Sequence, residues 1–124
     1  MISIVVSMIA AAFLLVSTPL FAIEMPGLAK KNTCTDCHAI DKKVVGPSWM
    51  DVSIKYKDST EYEYKDKKYP LEEGLIMKIS KGGSGNWGKM PMPINDPSGA
   101  KHDDYQTLVR FILGLSKEAK TPKE

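Results

Sequence analysis

The sequence predicts an all-α domain of about four short helices joined by long irregular loops. Apolar residues recur three and four positions apart in separate stretches, no strand–helix–strand alternation is present, and Gly- and Pro-rich segments separate the stretches. The chain has 124 residues, a single-domain length, with no internal repeat and no low-complexity tract.

Residues 1–22 contain no charged side chain. A membrane span needs about 20 apolar residues held in a helix, and Ser17, Thr18 and Pro19 interrupt this run where a signal peptide would pass into its cleavage region. The expected reading is an export signal cut after Ala22, with a periplasmic destination. An uncleaved anchor is the alternative, because the run carries no Lys or Arg at its start and has Leu20 three residues before the cut. The remaining residues 23–124 read as one domain. A chain of that size buries only about 60–70% of the surface its unfolded form would expose, so its core is thin and a large apolar cofactor would supply surface that the side chains lack.

Four helices are expected in order. Met25 to Lys31 forms a short first one, with Pro26 tolerated near its start. After the break at Gly46-Pro47-Ser48, Trp49, Val52 and Tyr56 recur at helical spacing and mark the second. The third runs from about Leu71 to Lys81, with Leu71, Leu75, Ile76 and Ile79 on one face and Gly82-Gly83 as the stop. The last, from about Asp103 to Leu115, carries Leu108, Phe111, Ile112 and Leu115 in an i, i+3, i+4, i+7 pattern, and Asp103 and Asp104 suit its N-terminal dipole. Each stripe reads first as ordinary core packing. Between Tyr56 and Pro70 the alternation of Tyr62 and Tyr64 offers a small hairpin, but the surrounding charge makes a solvated loop the preferred reading. Gly82 to Gly99, rich in Gly, Pro, Ser, Asn and Asp, is expected to be an irregular loop.

The charge balance of 17 Lys and Arg against 15 Asp and Glu leaves a formal charge of +2. That near-neutral balance argues against nucleic acid as a partner.

The chemistry lies in Cys34-Thr35-Asp36-Cys37-His38, which holds both cysteines and one of the two histidines. C-x-x-C-H is the spacing of covalent haem c attachment: two thiols three positions apart can add to the two vinyl groups of one porphyrin while the adjacent imidazole reaches the iron. A thioredoxin-type dithiol would sit beside a strand–helix–strand unit, a zinc site would need a fourth ligand, and a Cys34–Cys37 disulfide would close too small a loop to stabilise much. The second axial position suits a thioether, which favours ferrous iron and raises the reduction potential. Met90 and Met92 both lie in the expected loop, and Pro91 and Pro93 stiffen the backbone around Met92. Met25, Met50 and Met77 fall on expected helices and read as packing residues. His102, in a polar stretch, reads as a surface residue.

In these segments the chain resembles the short class I cytochromes c of pseudomonads and related bacteria. The shared residues are Cys34 through Asp41, Val45-Gly46-Pro47, Asp51-Val52, Trp87-Gly88, Pro91-Met92-Pro93 with Asn95, and Gln106-Thr107-Leu108. The resemblance implies an all-α fold around one haem c bound through Cys34 and Cys37, with His38 and Met92 as iron ligands. It further implies that the Pro47 carbonyl accepts a hydrogen bond from the His38 ring, that Trp49 packs along the haem, that Trp87 meets a haem propionate, and that Asn95 lies near the Met92 sulfur. By residue type alone, Trp49 and Trp87 could equally be core aromatics. The chain departs from the family at Phe111, where a Trp is usual, at Ala29, where an aromatic is common, and in a Tyr56–Leu71 connection several residues longer than in the short members.

The function expected is that of a monomeric single-electron carrier with transient redox-protein donors and acceptors, no small-molecule substrate, no catalytic residues, and membrane contact only if residues 1–22 stay attached. A gas-binding or sensor protein with a displaceable sixth ligand is the alternative.

Overall fold

The computed structural model describes residues 22–118. The expected export segment therefore lies, apart from Ala22, outside the described residues. Among these, no helix is long and apolar enough to cross a membrane. The order is α1 (Gly27–Lys31), a 3₁₀ turn (Cys34–Asp36), α2 (Trp49–Tyr56), β1 (Glu61–Tyr64), β2 (Lys67–Pro70), α3 (Leu71–Lys81), β3 (Gly83–Gly85), β4 (Gly88–Met92) and α4 (His102–Glu118). The four expected helices are present, together with two short antiparallel ribbons.

The helices form where the periodicity places them. Ser48 caps α2 by accepting the Asp51 amide at 3.0 Å, and α2 turns Trp49, Val52 and Tyr56 inward. α1 starts two residues later than expected, with Pro26 as its N-cap, and buries Ala29 completely. α4 packs on α1, α2 and α3 and buries Tyr105, Leu108, Val109, Ile112 and Leu115. Between α2 and α4 lies a buried polar tie: the Ser53 hydroxyl donates to Leu113 O at 3.1 Å and accepts from the Ser116 amide at 3.0 Å. At the start of α4, His102 faces Glu73 of α3 at 3.4 Å. That contact raises the imidazole pKa, so it operates in acid and fades as the pH rises through the raised value; exposed as it is, it adds little to stability.

Two expectations need correction. The stretch between Tyr56 and Pro70 is not a solvated loop. Its β1–β2 hairpin pairs Glu61 with Pro70 and Tyr64 with Lys67, and buries Tyr62 and Tyr64 to 2% and 6% exposure. The turn is Lys65-Asp66, both at positive φ, a two-residue hairpin turn without the usual Asn-Gly signal. Left-handed conformations at non-glycine residues cost about 1–3 kcal/mol each. Burying an aromatic side chain removes about 150–250 Å² from water, about 4–6 kcal/mol gross per ring at roughly 25 cal/mol per Å². The two rings outweigh the turn. The second correction concerns Gly82–Gly99, which contains a short bulged ribbon pairing Gly83 with Met92 and Gly85 with Gly88. Its glycines hide the alternation that would announce a strand.

Candidate haem-binding site

The Cys34–His38 segment is bound to itself and to the irregular segment after it. The Cys34 carbonyl accepts the His38 amide at 2.9 Å, and the Cys37 carbonyl accepts the Gly46 amide at 2.8 Å. These bonds fold Val45-Gly46-Pro47 back over the histidine, so that His38 Nδ1 donates to Pro47 O at 2.8 Å. The approach depends on Gly46. A Cβ there would overlap His38 Cε1 and lie 2.9 Å from Nδ1 and 3.0 Å from Nε2.

These residues form one wall of an apolar cavity of about 270 Å³ whose lining includes Cys34, Cys37, His38, Pro47, Trp49, Trp87, Met90 and Met92. Trp49 is buried, its ring 6.2 Å from that of His38 and 6.1 Å, edge-on, from that of Phe111. Phe111 thus meets the tryptophan from α4. Trp87 is 40% exposed, with the Lys55 ammonium 4.3 Å above its ring, which sets aside the reading of it as a core aromatic. Val45, Trp87 and Met90 are exposed and mark the cavity mouth, whereas Met92 is half-buried. Asn95 is not among the lining residues. Its amide donates to Ile79 O at 3.0 Å and Pro93 O at 3.2 Å, tying the segment after Met92 to α3. His102 is likewise not among the lining residues.

Residues missed by sequence reasoning also face the cavity. Tyr62 comes from the hairpin read as a loop. Lys78 stands on the wall with Nζ donating to Gly83 O at 2.7 Å, its pKa lowered by burial. Its signal was present: Leu71, Leu75 and Lys78 follow an i, i+4, i+7 stripe, which places a cation on the inward face of α3. Gly82 does more than end α3. It sits at φ +69° against the Met92–Pro93 backbone, where a Cβ would run into the Met92 carbonyl oxygen.

An apolar cavity carrying two thiols, an oriented imidazole and two thioethers on its walls fits a porphyrin. Burial raises the Cys34 thiol pKa, and both cysteines are free for thioether bonds. Helices packed around such a cavity define a protein that carries a covalent haem. The comparisons give the family. The cytochrome c family model matches residues 26–116. Cytochrome c-551 of Allochromatium vinosum is 39% identical over 88 residues, covering 71% of this chain and 82% of that protein. Cytochrome c-551 of Azotobacter vinelandii is 42% identical over 86 residues, with 69% and 90% covered. The crystal structure of wild-type Nitrosomonas europaea cytochrome c552 superposes with a TM-score of 0.58 at 39% identity, covering 71% of this chain and 95% of that one. The chain belongs to the cytochrome c family, as a short class I member of the kind found in pseudomonads and related bacteria. Haem c is accordingly its cofactor, attached at Cys34 and Cys37.

Gly46→Ala tests how closely the histidine is held. The added methyl must displace the ring, and overpacking of this kind costs about 1–3 kcal/mol, a fall of roughly 4–8 °C in melting temperature per kcal/mol for a domain this small. Gly114→Ala, with nothing within 4 Å of its added Cβ, is expected to leave the melt unchanged or raise it slightly. Equal melting temperatures for the two variants would refute the close fit at Gly46.

Proposed function

We propose that this protein is a soluble one-electron carrier of the bacterial periplasm whose haem iron takes His38 and Met92 as axial ligands, with residues 1–22 removed after Ala22. The observation that carries the reading is that His38 and Met92 share one cavity with both attachment cysteines, while Pro47 engages His38 Nδ1 and leaves Nε2 for the metal. When bound, haem c supplies a ferric–ferrous couple. The chain's own residues then have distinct roles. Pro47 orients the imidazole and increases its basicity. Trp49, Val52 and Ile112 exclude water. Trp87 and Lys78 would hold the carboxylates of the group, and Asn95 anchors the segment carrying the sixth ligand. Pro91 and Pro93 around Met92 favour a filled coordination sphere over a displaceable one, which argues for electron transfer and against gas binding or sensing.

Visible spectra of both oxidation states test this directly. A sulfur-to-iron band in the ferric protein and reversible reduction are expected. A ferric protein without that band, whose reduced form takes up carbon monoxide rapidly, would support the sensor reading instead.

A transient redox partner is expected to meet the cavity mouth. Lys43 lines the cavity and Lys42 and Lys89 are exposed in the neighbouring sequence, whereas Lys31 stands 4.0 Å from Asp104. Exposed charges act over about 8–10 Å at physiological ionic strength and mainly change association rate. The bimolecular rate with a donor or acceptor should therefore fall as salt rises, and Lys42→Glu with Lys43→Glu should lower it by roughly tenfold at low salt. A rate independent of salt would instead assign docking to the apolar rim that includes Val44 and Val45, 46% and 48% exposed.

A further inference from the structure

We propose that Tyr64, on the hairpin that lengthens the Tyr56–Leu71 connection, is a positioning residue for the sixth iron ligand, acting through the Gly82 carbonyl on the Met92 segment. The inference rests on Met92 being that ligand. Tyr64 is buried, and its hydroxyl donates to Gly82 O at 2.9 Å. Gly82 is itself buried and ends α3, its amide bound to Lys78 O at 2.9 Å. No slack separates it from the ligand segment: a Cβ on Gly82 would strike the Met92 carbonyl oxygen and lie 2.8 Å from the carbonyl carbon and oxygen of Pro93. The next residue, Gly83, pairs with Met92 across the ribbon. A displacement of Gly82 is therefore a displacement of Met92.

The ribbon is held from α2 and α3 by polar contacts, Lys55 Nζ donating to Asn86 O at 2.6 Å and Lys78 Nζ to Gly83 O at 2.7 Å, and buries little apolar surface of its own. β3 and β4 expose most of their residues, Met90 to 66%, and a segment with few buried apolar contacts has low local stability. Its position depends on polar ties, and the β1–β2 hairpin supplies two of them: Tyr64 at Gly82, and Glu63 O, which accepts Asn86 Nδ2 at 3.3 Å near the ribbon's turn. The hairpin braces the loop that carries the ligand.

The test is competition between Met92 and imidazole for the ferric iron of the holoprotein. Loss of one buried hydrogen bond shifts a local equilibrium by roughly three- to tenfold, so Tyr64→Phe should keep the sulfur-to-iron band without imidazole but bind imidazole roughly three- to tenfold more tightly. Ser53→Ala, which removes the buried hydroxyl between α2 and α4, should lower the melting temperature and leave imidazole affinity unchanged. If Tyr64→Phe does not fold, Asn86→Ala carries the test: tighter imidazole binding supports the brace and unchanged binding overturns it. Wild-type affinity in Tyr64→Phe, or an equal shift in Ser53→Ala, overturns the brace while the Met92 assignment stands. Absence of the sulfur band from the wild-type protein overturns the Met92 assignment, and the brace with it.

Discussion

Met92→Ala should give a folded holoprotein whose ferric spectrum lacks the sulfur-to-iron band and whose reduction potential falls by on the order of 0.2 V, a fraction of the roughly 0.8 V range that axial ligation spans. Met90→Ala should leave both nearly unchanged. A thioether favours ferrous iron, and its removal destabilises the reduced form. The two methionines differ in setting although both line the cavity: Met90 is 66% exposed at its mouth, whereas Met92 is half-buried, framed by Pro91 and Pro93, and pressed through its carbonyl against Gly82. Retention of the band in Met92→Ala with its loss in Met90→Ala would reverse the assignment.

The second large effect concerns the fold. With both Cys34 and Cys37 replaced by Ala and no haem retained, the chain should be largely unfolded. Without the group, the apolar walls of the cavity of about 270 Å³ are left open to water, and a small domain has a stability of only about 5–15 kcal/mol to lose. Trp49, Leu108 and Ile112 line the cavity, so the helices would lose the surface against which they pack. Far-ultraviolet circular dichroism and thermal melting of the haem-free variant decide the matter, since near-native helicity with a cooperative transition would contradict the claim.

Much of the scaffold was legible before any coordinates. Trp49, Val52 and Tyr56 on α2, Leu75 and Ile76 on α3, and Leu108, Ile112 and Leu115 on α4 are buried as their spacing implies, because helical periodicity is a local property that each segment carries by itself. The attachment site was legible for a different reason: the distance between the vinyl groups of one porphyrin demands two cysteines at a fixed short spacing, and the adjacent histidine adds the ligand. Where the structure differs from the sequence reading, long-range contacts made the decision. Tyr62 and Tyr64 alternate over only a few residues amid charge, and only the packing of Tyr62 on Gly74, where a Cβ would come within 2.6 Å, and on Tyr56, 5.4 Å between ring centroids, makes that stretch a buried hairpin.

The sequence alone determined the cofactor, its attachment points and the helical framework, since these depend on residue type and on spacing within one segment. Only the tertiary structure decided that the Lys78 ammonium reaches the Gly83 carbonyl, that Gly46 must lack a side chain to admit the His38 ring, and that the Tyr64 hydroxyl meets the Gly82 carbonyl. Each of these joins residues from separate elements, and the energy of such a contact depends on the distance in space that folding creates, which spacing along the chain does not record.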